Sequence, residues 1–227
     1  MPQLIRSIEV APNVQISSVW AVPEGYSHGA GPAVVLAHGA GNDMHHPFMA
    51  HFHQAFAAAG LLSVKFNFPY KEAGRKAPDR MPLLEQTWRA VVDAVRRDPD
   101  LAPGELFFAG KSMGGRVASH LAAAGESCRG LIFLGYPLHP ARQPEDLRVE
   151  HWARLACPVL FVQGSRDSLC DLDVLARELP RIPGPVALHT IEGGDHSFKL
   201  PASAGKSQED AWREADAAIV RWMAGLA

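Results

Sequence analysis

The sequence predicts an α/β fold, a mostly parallel sheet with helices packed on both faces. Three observations carry that expectation. Several short runs are apolar throughout rather than alternating, as in residues 33–37 (AVVLA), 106–109 (LFFA) and 130–135 (GLIFLG), the pattern of strands covered on both sides. Stretches with apolar residues at helical spacing separate those runs. The polar, glycine-bearing loops that follow the runs then fall at the carboxyl ends of strands, where sheets of this kind hold their sites.

Taken in order, residues 5–10 and 15–22 read as two short strands around Pro12-Asn13. So short a connection makes them an antiparallel pair at the sheet edge. The run 33–37 is the first fully apolar strand, and it ends in His38-Gly39-Ala40-Gly41-Asn42. Pro47 suits the first position of a helix that reaches about residue 59, where Gly60 stops it. Residues 62–68 form the next strand, and 69–82 a polar connection. A helix over 83–97 carries Leu84, Trp88, Val91, Val92 and Val95 on one face. Strands at 106–109, 130–135, 158–163 and 186–191 follow, with helices expected at 116–124 and 171–179 and a weaker one at 145–156. After Ser207, residues Trp212, Ala215, Ile219, Trp222 and Leu226 trace one face of an amphipathic helix.

Composition narrows the class. The 227 residues suit one domain spanning 1–227, and 47% hydrophobic with 20% charged residues is ordinary for a soluble globular chain. A net charge of −2 offers no electrostatic case for nucleic acid or an anionic membrane as partner. No apolar run approaches the roughly 20 residues of a membrane span, and the N-terminus lacks the apolar core of a secretory signal. Cys128, Cys157 and Cys170 show no CxxC spacing, so reduced thiols and a cytoplasmic location are expected. His51 and His53 lie about 200° apart on a helix and cannot share a face. No metal site and no cofactor are expected.

The chemistry centres on Gly110-Lys111-Ser112-Met113-Gly114, set between an apolar strand and a helix. That context makes Gly-x-Ser-x-Gly a nucleophile elbow, with Ser112 at its tip. A phosphate-binding reading of Gly110-Lys111-Ser112 fails on register, because Glu105 stands where that motif needs its first glycine. A serine hydroxyl needs a base, and the base needs an orienting acid. In the elbow order of serine, acid, histidine, Asp167 follows the strand at 158–163 and His196 follows the strand at 186–191. Asp171, Asp173 and Asp195 compete for the acid's place less well. Backbone N–H groups of Met113 and Ala40 suit an oxyanion hole, each such donor being worth about 10²–10³ in rate.

Together these pieces resemble the serine α/β-hydrolases over nearly the whole chain. More narrowly, HGAGNDMHHPFM, FNFPYKEAGRKAPDR, GKSMGGR, GYPLHP, FVQGSRD and EGGDHSFK are similar to a cap-less subgroup related to dienelactone hydrolases. Within it they resemble the line that holds a testis-expressed protein and a subunit of a histone acetyltransferase complex. The resemblance implies an eight-stranded sheet and a Ser112–His196–Asp167 triad. Ser112 stands where dienelactone hydrolases use cysteine, which separates this chain from that activity. The expected reaction is cleavage of a small ester or thioester through an acyl-enzyme; the alternative is a non-catalytic interaction module on the same fold. The loop bearing Tyr70, Lys71, Glu72, Arg75 and Arg80 reads either as a solvated charged loop or as a pocket border, in which Tyr70 and Arg75 would contact an anionic substrate group. Residues 136–157, short and holding Pro137, Pro140 and Pro144, leave no room for a large lid.

Overall fold

A computed structural model describes residues 2–29 and 31–226. Among them, eight strands form one sheet: β1 (Gln3–Ala11), β2 (Val14–Ala21), β3 (Pro32–Ala37), β4 (Leu62–Phe66), β5 (Glu105–Lys111), β6 (Gly130–Leu134), β7 (Val159–Gly164) and β8 (Val186–Ile191). Their order is β1-β2-β4-β3-β5-β6-β7-β8. β2 runs antiparallel to both β1 and β4, and every other neighbouring pair is parallel. The helices are α1 (Pro47–Ala58), α2 (Pro69–Glu72), α3 (Met81–Arg96), α4 (Met113–Ala123), α5 (Leu172–Glu178) and α6 (Gln208–Ala224).

The apolar runs are continuous because each strand feeds two cores. Along β3, Ala33, Val35 and Ala37 enter one core with Trp88, Val91 and Val95 of α3 and Val117 and Leu121 of α4. Val34 and Leu36 enter the other with Phe48, Phe52 and Phe56 of α1 and Trp212, Ala215 and Ile219 of α6. The alternation is the period-2 geometry of a strand with both faces covered. Each large side chain so buried contributes roughly 2 kcal/mol of transfer free energy.

Sheet order positions the site. The chain leaves β3 through α1 toward β4, then returns past β3 to β5, so the strand order reverses at β3. Loops following β3 and β5 therefore part there, the place where open α/β sheets form their crevice. Register brings the strand ends level, with Ala37 opposite Gly110 and Lys111 opposite Leu134.

Two expectations change. The helix expected over 145–156 does not form; only a single 3-10 turn, Trp152–Arg154, is present. The segment lies along the core instead: Trp152 and Leu155 are buried, Arg148 N–H donates to Leu138 O, and Trp152 Nε1 donates to the Tyr136 hydroxyl. Its tertiary contacts outweigh a weak local propensity. The polar connection 69–82 contains α2 and the start of α3, where Pro69 and Pro82 fit first-turn positions. The three thiols are free, yet parallel pairing of β6 with β7 brings Cys128 Sγ within 3.6 Å of Cys157 Sγ. No helix among the described residues is long and apolar enough to cross a membrane.

Candidate active site

Ser112 links β5 to α4 at φ 52°, ψ −116°, a backbone conformation that L-residues other than glycine rarely adopt. The elbow survives because its surroundings admit no alternative. A Cβ on Gly114 would run into the carbonyl oxygens of Ala37 and His38, and one on Gly110 into the Gly114–Gly115 backbone. Helix and strands thus close on one another until only glycine fits.

His196 follows β8 and reaches back across the strand ends. Its Nε2 lies 2.8 Å from Ser112 Oγ and its Nδ1 2.7 Å from Asp167 Oδ2. A carboxylate only accepts, so Nδ1 carries the proton and Nε2 is left to accept from the serine hydroxyl. Asp167, whose side chain is buried, is itself held: Gln163 Nε2 donates to its Oδ2 and Leu169 N–H to its Oδ1. Gln163 is fixed in turn by accepting from Tyr136 N–H at 2.8 Å. Two of the competing acids are occupied elsewhere. Asp195 accepts from the N–H groups of Ser197 and Lys199, and Asp171 caps α5.

Lys111, the variable residue beside the serine, donates from Nζ to His196 O at 2.6 Å and so ties the histidine loop to the elbow. Burial lowers its pKa from 10.5 to about 7, against the raising influence of Asp167 and Asp195.

The loop after β3 is shaped by His38. Buried, with its pKa pushed down to about 4 by that burial, it is neutral at pH 7. Its Nε2 accepts from Phe68 N–H, so Nδ1 carries the proton and donates to Gly39 O at 2.8 Å. The Tyr70 hydroxyl approaches the same carbonyl at 3.5 Å. In a trans peptide the N–H points opposite to the C=O. Holding Gly39 O between His38 and Tyr70 therefore turns the Ala40 N–H the other way, and Ala40 lines the cavity that Ser112 and Met113 also line. Met113 is the first residue of α4, where the N–H has no intrahelical partner.

That cavity, about 470 Å³, is also bordered by Arg116, His139 and Arg148. Tyr70 and Arg75, expected as substrate contacts, do not border it. Tyr70 is fully buried, and Arg75 pairs with Asp79 at 2.5 Å. Tyr70 instead supports the loop after β3 through its hydroxyl, and Arg75 is held within its own loop by Asp79. Arg116 and Arg148 escape sequence reading: the first sits just past the serine motif, and the second lies in the segment expected to be helical. His38, as the support of the loop, was legible only as the residue preceding Gly39.

A sheet of eight strands with one antiparallel member, carrying a hydrogen-bonded serine–histidine–aspartate chain at its strand ends, defines the class of α/β hydrolases without a lid. Residues 30–224 match the α/β hydrolase domain family Abhydrolase_11, and the chain belongs to it. Solved structures similar in fold include an α/β serine hydrolase homologue from Coxiella burnetii (20% identity, TM-score 0.75, 97% of each chain covered). A dienelactone hydrolase from Anabaena variabilis is similar at 20% identity and a TM-score of 0.71, with 95% of each chain covered. An α/β serine hydrolase without a lid from Xanthomonas campestris matches at 21% identity and a TM-score of 0.70, covering 98% of this chain and 96% of its own.

Proposed function

We propose that this protein is a serine hydrolase that cleaves a small ester or thioester through an acyl-enzyme. The observation that carries the reading is the unbroken chain Ser112 Oγ–His196 Nε2, His196 Nδ1–Asp167 Oδ2, centred on a strained elbow. In this mechanism Ser112 Oγ attacks the acyl carbon while His196 Nε2 takes its proton. Asp167 holds the ring and stabilises the imidazolium, and the N–H groups of Met113 and Ala40 receive the developing oxyanion. His196 then protonates the departing alcohol or thiol. Water, deprotonated by the same nitrogen, attacks the acyl-enzyme and returns Ser112 to its starting state.

An open cavity without a lid favours compact substrates. Peptidase activity has nothing in its favour beyond the shared mechanism. The likeness to a histone acetyltransferase complex subunit motivates a non-catalytic module as the second reading. Gln163, Leu169 and Lys111 count against it, since they hold Asp167 and His196 in a geometry that a scaffold does not need.

Wild-type protein should be labelled by a fluorophosphonate probe and should hydrolyse 4-nitrophenyl esters of short acids. Ser112→Ala should abolish labelling and lower kcat by about 10³ or more, with its thermal unfolding cooperative as before. Labelling that persists in Ser112→Ala rejects Ser112 as the nucleophile. Absence of both labelling and turnover in wild-type protein supports the module.

A further inference from the structure

We propose that the cavity at Ser112 takes an ester bearing a second, anionic group of the carboxylate class, held by Arg116 and Arg148. This rests on the reading of Ser112 as nucleophile. Arg116 lies one helical turn past Ser112, its N–H donating to Ser112 O at 3.0 Å, and it borders the same cavity as Arg148. Among the described residues neither guanidinium has a carboxylate within ion-pair distance, whereas Arg6, Arg75, Arg96 and Arg129 each have one. Arg116 Nε is buried without any hydrogen-bond partner. The one carboxylate bordering the cavity, Asp79, is already engaged by Arg75 and by Tyr70 N–H.

Among the described residues, no ion pair forms behind the arginines. His120 and His151 stack at 3.9 Å, and His151 is pushed down to about 3 by burial first and then by its positive neighbours, Arg116 among them. Arg148 is itself pushed below the usual arginine value by burial and by Arg116, against the raising influence of Tyr136 and Asp146. Nor is the Arg148 side chain needed to hold its loop, because its backbone N–H donates to Leu138 O and its carbonyl accepts from the Tyr136 hydroxyl at 2.9 Å. Two half-buried like charges without an ion-paired carboxylate carry a desolvation and repulsion cost that a pair of apolar side chains would avoid. A carboxylate removes that cost, and the planar guanidinium fork is well matched to it.

The test compares esters of similar shape that differ in charge. For an anion in the acyl half, mono-4-nitrophenyl glutarate is set against 4-nitrophenyl pentanoate; for an anion in the alcohol half, 4-acetoxybenzoate is set against its methyl ester. At least one anionic member should exceed its neutral partner in kcat/KM by about tenfold or more. Arg116→Leu and Arg148→Leu should each collapse that ratio, mainly through KM of the anionic ester, and the lysine variants should restore part of it. Independently of any variant, glutarate should inhibit neutral-ester hydrolysis by wild-type protein competitively, and glutaramide should not. Hydrolysis of both members of each pair at equal rates, or equal inhibition by glutarate and glutaramide, overturns the anionic subsite and leaves the serine hydrolase standing. No hydrolysis and no fluorophosphonate labelling overturns both.

Discussion

Lys111 occupies the variable position of the serine motif, and its amine is buried beneath the histidine loop. In the unfolded chain that amine binds its proton up to about pH 10.4, but in the fold only to about 7. Between those values the unfolded state holds more protons, so stability rises with pH; below about pH 7 the burial cost is present in full. Urea unfolding should therefore give a native state about 3 kcal/mol more stable at pH 9.5 than at pH 7 through this group. Lys111→Met should flatten that rise, and an unchanged slope would dismiss Lys111 as its source. Ser112, Asp167 and His196 were readable in the sequence because each follows a strand and because their order is that of an elbow. Tyr70 and Arg75 were misread, since charge in a loop says nothing about which side of the loop meets the cavity.

The β5–α4 unit depends on contacts closer than any side chain permits. Gly114 sits against the carbonyls of Ala37 and His38, so α4 is seated on the end of β3 as well as on β5. Gly114→Ala must push the helix off these carbonyls and should cost on the order of 2 kcal/mol or more. For a chain of this size that corresponds to a fall in Tm of roughly 4–8 °C. Because the same shift moves Met113 N–H, esterase turnover should fall further than the lost stability accounts for. A variant that melts like wild type would mean that the elbow has slack that these distances deny. At this scale the strands and long helices were legible from their periodicity, with ends displaced by a few residues. Residues 145–156 were not: their form is set by Tyr136, Leu138 and the core beneath, none of which is local in sequence.

Across the whole molecule, three histidines are buried where their charged form is disfavoured. His38 is lowered to about 4, and His53 and His151 to about 3, in each case chiefly by burial. Below about pH 6.5 the unfolded chain takes up protons that the fold refuses, so stability is lost as pH falls from there toward 4. Each contributes roughly 2 kcal/mol of loss by pH 5, a large share of a typical 5–15 kcal/mol. Denaturant unfolding at pH 7 and pH 5 should show a clear drop, made smaller by His53→Gln, a side chain that keeps a hydrogen bond to Ser63 Oγ within reach. Equal stability at the two pH values would remove the histidines from the account.

What the sequence determined by itself is the α/β class, the run of strands and the order of Ser112, Asp167 and His196 after them, because periodicity, turn residues and motif spacing are local properties of a chain. Only the tertiary structure decided which loop faces the cavity, how the Ala40 and Met113 backbone is placed beside Ser112, and that Arg116 and Arg148 share one cavity without an ion pair. Those facts arise where segments far apart in sequence converge at the strand ends. No local pattern encodes them, since each depends on the parallel sheet order that brings the carboxyl ends of β3, β5, β7 and β8 to one side.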